Sequence, residues 1–347
     1  VCIGESVVNK KIHLKNFNNY KKFKINFIIK IINIIFSIFK LQPLQNGHFF
    51  SKDMFKYINK NKENYDYIIF HLIRSAQYLP SEYRGKTILE MTDLISVNYK
   101  QIIKNTSIFN PIKYLYFIEY ILLKNYEKKI SNLFDKVVFI SNKELKFSKT
   151  FISSNKISVI NNQFNFHSKI FKYDKKNYKI LFVGNINYLP NKIACYNFAK
   201  NVMPKLKIKY SNLEFNIVGK INFIDKLILS KFYNTKIHGP LENVEKLVKR
   251  SICGICNLKV ATGLQMKIFT YMGFGLPPII HKNSFPKNIL KKNKHVLVYS
   301  QDNELISLII NTIKNKKLAN KISQNSLRII KNKFNSVKIF NDYLKIF

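Results

Sequence analysis

The sequence predicts an α/β protein built as two Rossmann-like parallel-sheet domains that face a cleft. Short apolar runs rich in β-branched residues alternate with helical patterns of about ten to fifteen residues, which is how right-handed β-α-β units and parallel sheets are written. A polar stretch from His167 to Asn177 interrupts the alternation and reads as a linker between two domains. With 46% apolar and 14% aromatic residues, 347 residues suffice for two cores of ordinary size.

Taken in order, the first candidate element is INFIIKIINIIFSIF, residues 25–39. Lys30 and Asn33 lie in its middle, and it falls short of the roughly 20 apolar residues that span a bilayer. It reads as an amphipathic helix packed in a core, with contact to a membrane surface as the other reading. NYDYIIFHL (64–72) and KTILEMTD (86–93) read as strands, and apolar residues at three- and four-residue spacing predict a long helix from Asn110 to Asn132. A strand at DKVVFIS (135–141), a short helix and a strand at KISVINN (156–162) complete an N-terminal domain over residues 1–166. The chain begins with Val1, so this domain is read with an N-terminal piece missing, and no signal peptide of the usual form is present.

The second domain, residues 178–330, is more regular. Strands are expected at KILFVG (179–184), EFNIVG (214–219), TKIHG (235–239), SICGICNL (251–258), PIIH (278–281) and HVLVYS (295–300). Helices fall between them, at Lys192 to Lys209, Phe223 to Phe232 and 242–250, and two more follow the last strand. The stretch 331–347 reads as a terminal helix packing back on the N-terminal domain.

Charge and cysteine narrow the function. Lys and Arg number 59 against 19 Asp and Glu, a net charge of +40, yet the lysines are scattered through every segment. Proteins that bind nucleic acid gather such charge into a stripe with interleaved aromatics, so no nucleic-acid partner is expected. An anionic membrane surface or an anionic substrate stays open. Cys253 and Cys256 form a C-x-x-C inside an apolar run with no second pair, which reads as core packing rather than a zinc or redox site.

Ligands of open parallel sheets bind outside the carboxyl ends of the strands. The segment ATGLQMKIFTYMGFGLPPII, residues 261–280, lies after one such end and carries one charged side chain, Lys267. A helix is expected there from about Leu264 to Phe274. Its first turn offers free backbone N–H groups, Gly263 lets a ligand approach, and Lys267 and Thr270 project from one face. That describes a phosphate seat; a plain turn followed by a solvated lysine fits the same pattern. In the first half, His71, Arg74 and Asp93 follow strand ends. His71 can donate a hydrogen bond to a ligand hydroxyl, Arg74 can bind a phosphate, and Asp93 can orient a ligand or take a proton; each also fits a cap or a surface partner. Glu90 and Asp135 are read as structural, and His238 as a strand end or a contact to a base.

FVGNINYLPNKIACYNFAKNVMPKLK, FNIVGK and IHGPLENVEKLVKRSICGICNLKVATGLQMKIFTYMGFGLP, in that order, resemble the C-terminal half of family-four glycosyltransferases, the two-Rossmann enzymes of the B fold. YDYIIFHLIRSAQYLP, ILEMTDLISVNYK and FDKVVFISNKE are similar to the acceptor-side half of a subgroup that builds bacterial surface polysaccharide, so the resemblance spans about residues 64–330. It implies transfer of a sugar from a nucleotide diphosphate sugar to an acceptor hydroxyl, with retention and without a metal or other cofactor. By this resemblance Gly263, Gln265 and Lys267 hold the diphosphate, Gly184 and Asn185 form the turn facing it with Lys192 shortly beyond, and Gly219 and Gly239 flank the base. Where many members carry two glutamates this chain has Thr262 and Thr270, and where an arginine is common it has Asn185. The implied partners are the donor and a glycan or lipid-linked acceptor, met by a cytoplasmic protein peripheral to the inner membrane. A relative that binds such a donor without turning it over is the alternative, ahead of a basic nucleic-acid binder.

Overall fold

The computed structural model describes residues 1–3, 20–140, 145, 147–164, 171–241, 243–259, 261 and 264–347. Apart from its last two residues the chain divides into two compact units, Val1–Ile160 and Asn161–Lys345.

In the first unit, β1 (Cys2–Ile3) and β2 (Lys22–Phe23) form a short parallel ladder. Three helices follow: α1 (Phe27–Phe39), α2 (Leu44–His48) and α3 (Lys52–Asn61). Next come β3 (Tyr67–His71), β4 (Lys86–Thr92), α4 (Ile95–Asn105), α5 (Ile112–Ser131), β5 (Lys136–Phe139) and β6 (Ile157–Val159). The strands β3 to β6 pair in parallel in chain order. Phe70, Leu89, Met91, Val137 and Phe139 fill the core beneath them, as the apolar runs require. Asp135 locks the start of β5 to β4 by accepting from the Thr87 N–H at 2.7 Å and its hydroxyl at 2.8 Å. The short helix expected after β5 falls largely outside the described residues.

Two buried carboxylates on α5 act as caps for other helices. Glu119 accepts from the backbone N–H of Leu44 (2.7 Å) and Gln45 (3.2 Å), at the start of α2. Glu127 accepts from the Ser96 N–H at 3.0 Å and from its hydroxyl, at the start of α4. Both satisfy orphan donors that a helix N-terminus leaves open. Burial outweighs these hydrogen bonds for Glu127 and raises its pKa to about 7.

The helix α1 corrects the expectation of a core-packed element. Of its residues Ser37 alone is buried, and most of its isoleucines and phenylalanines are exposed. Among the described residues no helix is long and apolar enough to cross a membrane.

The second unit holds a six-stranded parallel sheet. Its strands are β7 (Lys179–Val183), β8 (Glu214–Val218), β9 (Thr235–Ile237), β10 (Ser251–Cys256), β11 (Pro278–His281) and β12 (Leu297–Tyr299), in the order β12-β11-β10-β7-β8-β9. The helix expected from Lys192 to Lys209 begins earlier and is broken: α6 (Leu189–Asn197) passes through a π turn at Phe198–Val202 into α7 (Met203–Lys207). The other helices are α8 (Phe223–Ser230), α9 (Glu245–Val248), α10 (Met266–Gly273), α11 (Asp302–Lys314), α12 (Lys316–Lys333) and α13 (Ser336–Leu344). Three helices therefore follow β12, the last of them within the stretch 331–347.

The pairing of β10 with α10 is set by one glycine. A Cβ at Gly254 would stand 2.3 Å from the ring of Tyr271, so a bare backbone at Gly254 is what admits that fully buried tyrosine. Tyr271 uses the space to accept from the Val183 N–H (2.8 Å) and donate to the Ile255 carbonyl (3.1 Å), bridging β7 and β10. Cys253 and Cys256 are free thiols with no exposure, so the C-x-x-C is core packing.

Gly254→Ala should overpack this site by about 1–3 kcal/mol, lowering the melting temperature by roughly 2–4 °C per kcal/mol in a thermal scan. An unchanged melting temperature would contradict the packing described. For Glu127, the folded state holds more protons than the unfolded chain between the ordinary value of 4.5 and about 7. Stability conferred through this group therefore falls as pH rises across that window and is level above it. Chemical denaturation of Glu127→Gln should lack this component, worth on the order of 1–3 kcal/mol; a variant whose stability follows the same pH course as the parent refutes the assignment.

Candidate active site

The order of the second sheet reverses at β7 and β10: from β7 the chain adds strands one way to β9, and from β10 the other way to β12. Parallel sheets open a crevice at such a point, outside the strand carboxyl ends. Here those ends lead into Gly184 after β7 and, after β10, into the segment that begins α10. The hydroxyl of Tyr271 sits between the two strands at this point.

The neighbouring strand ends are stitched together by glycines. The Gly184 N–H donates to the Val218 carbonyl at 2.9 Å, and the Gly219 N–H donates to the Gly239 carbonyl at 2.8 Å. Gly219 has φ +143°, and a Cβ there would stand 1.8 Å from the Gly184 carbonyl oxygen, so no other residue fits. Gly184, Gly219 and Gly239 are thus linked backbone to backbone at the ends of neighbouring strands. His238 instead spends its Nε2 on the Asn216 side chain at 2.7 Å.

Lys267 differs from its expected place at the mouth of the helix. It is 7% exposed, and its chain turns inward beneath the glycine turn. Its Nζ donates to Asn191 Oδ1 at 2.6 Å, lies 4.0 Å from the centre of the Phe182 ring, and would be 3.3 Å from a Cβ at Gly184. Burial lowers its pKa, an effect only partly offset by the Cys256 and Cys195 thiols. A buried ammonium is normally matched by a carboxylate; among the described residues the hydrogen-bonding partner here is a neutral amide. Asn191 in turn donates to the Asn185 carbonyl at 2.8 Å, tying the lysine to the turn. No spacing rule singled out Asn191 or Phe182, because both belong to other elements and meet Lys267 only in the fold.

The remaining expected donor residues are less unified. Asn185 is exposed and accepts from the Asn187 N–H at 3.1 Å, which shapes the turn. Lys192 is not directed at the turn: it pairs with Asp225 at 2.6 Å, and Tyr196 donates to the same carboxylate. Gln265 is the half-buried residue preceding α10, and the Thr270 hydroxyl donates to the Met266 carbonyl at 3.2 Å within its own helix. Thr270 is half-buried while Lys267 is buried, so the two do not present a common polar face. Thr262 and Gly263 lie outside the described residues. The chain that leaves β10, residues 257–259, is anchored by residues that carried no sequence signal: Asn283 donates to the Lys259 carbonyl (2.6 Å), Ser284 to that of Leu258 (3.1 Å), and Asn257 to that of Ala194 (2.7 Å).

In the first unit the strand ends also gather polar groups. His71 Nδ1 lies 2.6 Å from Glu90 Oε2 across β3 and β4, so Glu90, read as structural, is the partner that orients an exposed histidine. The Arg74 guanidinium stacks 4.3 Å above the Phe49 ring, and burial lowers its pKa. Leu72 and Thr92, next to His71 and Asp93, hold φ of 68° and 61°. Left-handed backbone at a β-branched residue is costly, and such strain collects at functional sites.

Residues 177–315 match the family described as glycosyl transferases group 1. The greater part of the second unit is thus similar to that family, and the chain has the glycosyltransferase B fold of its structural neighbours. HepE from Anabaena, solved with UDP-glucose, superposes with TM-score 0.66 at 13% identity, covering 87% of each chain. A variant of TarM from S. aureus, solved with Fondaparinux, α-GlcNAc-glycerol and UDP, gives 0.65 at 12% identity, over 84% of this chain and 57% of that one. An uncharacterized 44.6 kDa protein in the cps region of Klebsiella pneumoniae is 29% identical over 190 residues, 52% of this chain and 45% of that protein. The chain thus aligns with about half the length of this curated relative.

Replacing Lys267 by methionine tests what its burial costs the fold. Because burial lowers the folded-state pKa, the cost of holding the charged form is present near neutral pH and fades as pH rises toward the ordinary 10.5. The ligand-free Lys267→Met protein should therefore melt higher at about pH 7, by roughly 2–4 °C for about 1 kcal/mol, with the gain shrinking in strongly alkaline buffer. A lower melting temperature at neutral pH would mean that the lysine serves the fold rather than a ligand.

Proposed function

We propose that this protein transfers a sugar from a nucleoside diphosphate sugar to an acceptor hydroxyl in the assembly of a surface polysaccharide or glycolipid. The observation that carries this reading is Lys267, a cation buried beside an amide at the switch point of the second sheet. A site that keeps a charge dehydrated with no matching carboxylate among the described residues is preorganised for an anion. The family of the second unit and the UDP-glucose held by HepE support a diphosphate as that anion.

In the proposed reaction the bond from the sugar anomeric carbon to the donor's β-phosphate oxygen breaks, and its electron pair leaves with the diphosphate. The acceptor oxygen bonds to the same carbon and loses its proton. Lys267 and backbone N–H groups around Gly184 neutralise the departing diphosphate, doing what a metal does elsewhere, so the reaction is read as metal-independent and, by its family likeness, retaining. Gly219 and Gly239 admit the nucleotide, with Gln265 and Thr270 at its edge. The Thr270 oxygen retains acceptor capacity for a ribose hydroxyl while its proton stays on Met266. The acceptor side is assigned to the first unit: His71 held by Glu90, Arg74 for an acceptor phosphate, and Asp93 as orienting group or base. The acceptor is read as a glycan or lipid-linked saccharide at the cytoplasmic face of a membrane.

A panel of nucleoside diphosphate sugars, followed by calorimetry and by slow donor hydrolysis, tests this. One donor should bind, and Lys267→Ala should lower its hydrolysis by about 10²-fold or more, as expected when a stabilising donor group is removed from a developing charge. Full hydrolysis by the variant, or a folded parent that binds no donor, would refute the proposal.

A further inference from the structure

The helix α1 is built inside out. Its inward stripe is polar: Asn33 donates from Nδ2 to the Phe50 carbonyl at 3.0 Å, and Ser37 donates to the Asn33 carbonyl at 3.0 Å. This stripe rests on α2 so closely that a Cβ at Gly47 would stand 2.4 Å from the Asn33 carbonyl oxygen. Outward, Ile28, Ile32, Ile35, Phe36 and Phe39 face away from the protein, Phe36 at 58% and Phe39 at 81% exposure. A helix of a water-borne surface shows the opposite arrangement.

The first half of α5 repeats the pattern within the same unit. Leu115, Phe117 and Ile118 are exposed, while Glu119 turns inward to cap α2, the helix on which α1 rests. Charge tells what such a surface fits. Residues 20–50 contain Lys21, Lys22, Lys24, Lys30 and Lys40 and neither aspartate nor glutamate, and residues 101–118 contain Lys104 and Lys113 and no acid either. Both acids of α5's sequence 112–131, Glu119 and Glu127, are buried. The outward faces are therefore apolar, and the segments that carry them hold lysines and no exposed acid. A second copy of the chain would bring like-charged segments together in an isologous contact; an anionic lipid surface accepts both the apolar residues and the lysines.

We propose that α1, together with the first half of α5, is a lipid-docking face that seats the first unit on an anionic bilayer with α1 lying in the plane of the headgroups. At about 20 Å, the length of thirteen residues at 1.5 Å each, α1 suits that position and does not cross the bilayer. The docking stands on the geometry of α1 and α5; it rests on the proposed function only in placing the acceptor at the same surface.

Flotation of the full chain with vesicles tests it, using phosphatidylglycerol mixed with phosphatidylethanolamine, and phosphatidylcholine alone. The protein should partition onto the anionic vesicles about ten-fold or more over the zwitterionic ones, since each lysine near the surface and each apolar residue entering the interface favours binding. Ile32→Gln with Phe36→Gln should reduce that partition about ten-fold, and Lys21→Gln with Lys24→Gln should weaken it and flatten its salt dependence. Both variants alter exposed residues, and near-ultraviolet circular dichroism checks that they remain folded. The proposal is overturned if the folded parent ignores anionic vesicles, if the apolar variant binds as well as the parent, or if it instead disrupts a dimer seen by light scattering. Calorimetry with the donor panel on the same proteins keeps the two readings apart: vesicle binding without donor binding would sink the glycosyltransferase proposal and leave the docking face standing.

Discussion

An ammonium buried against an amide is the constraint around which the second unit is organised. To hold Lys267 beneath the turn at Gly184, α10 must lie hard on the sheet, and it does so because Gly254 gives Tyr271 room to bridge β7 and β10. The turn itself must be free of side chains, and Gly219 meets Gly184 backbone to backbone. Asn191 completes the arrangement by holding the lysine with one end of its amide and the Asn185 carbonyl with the other. Together these contacts make a dehydrated positive site at the place where open parallel sheets receive ligands.

Much of this was legible in the sequence because parallel strands are buried on both faces and so are written as continuous apolar runs. β7, β8, β10 and β11 could be read that way, and Gly184 and Gly219 marked the ends of β7 and β8. The direction of a side chain was not legible. Spacing put Lys267 near the start of a helix but could not say that its stem would run inward past Phe182. Nor could it show that Lys192 would meet Asp225, a residue of another helix. The π turn at Phe198–Val202 was equally silent, since a change in helical hydrogen bonding leaves the apolar spacing nearly intact.

The misreading of α1 has a different cause. Periodicity reports that a helix has an apolar and a polar side; it does not report which side meets the protein. Packing decided that through Gly47, whose bare backbone fits Asn33 and Ser37. The first unit also shows how a single role can be hidden by pairing. Glu90 looked like a strand residue of no particular use, yet it fixes the imidazole of His71, while left-handed backbone at Leu72 and Thr92 shapes the two strand ends that carry His71 and Asp93.

The most direct test of the central claim is a crystal structure of the protein soaked with a nucleoside diphosphate. The account predicts the diphosphate at the carboxyl ends of β7 and β10, with Lys267 Nζ and backbone N–H groups near Gly184 within hydrogen-bonding range, about 2.7–3.2 Å, of phosphate oxygens. A diphosphate bound elsewhere, with Lys267 still engaged by Asn191 alone, would contradict it.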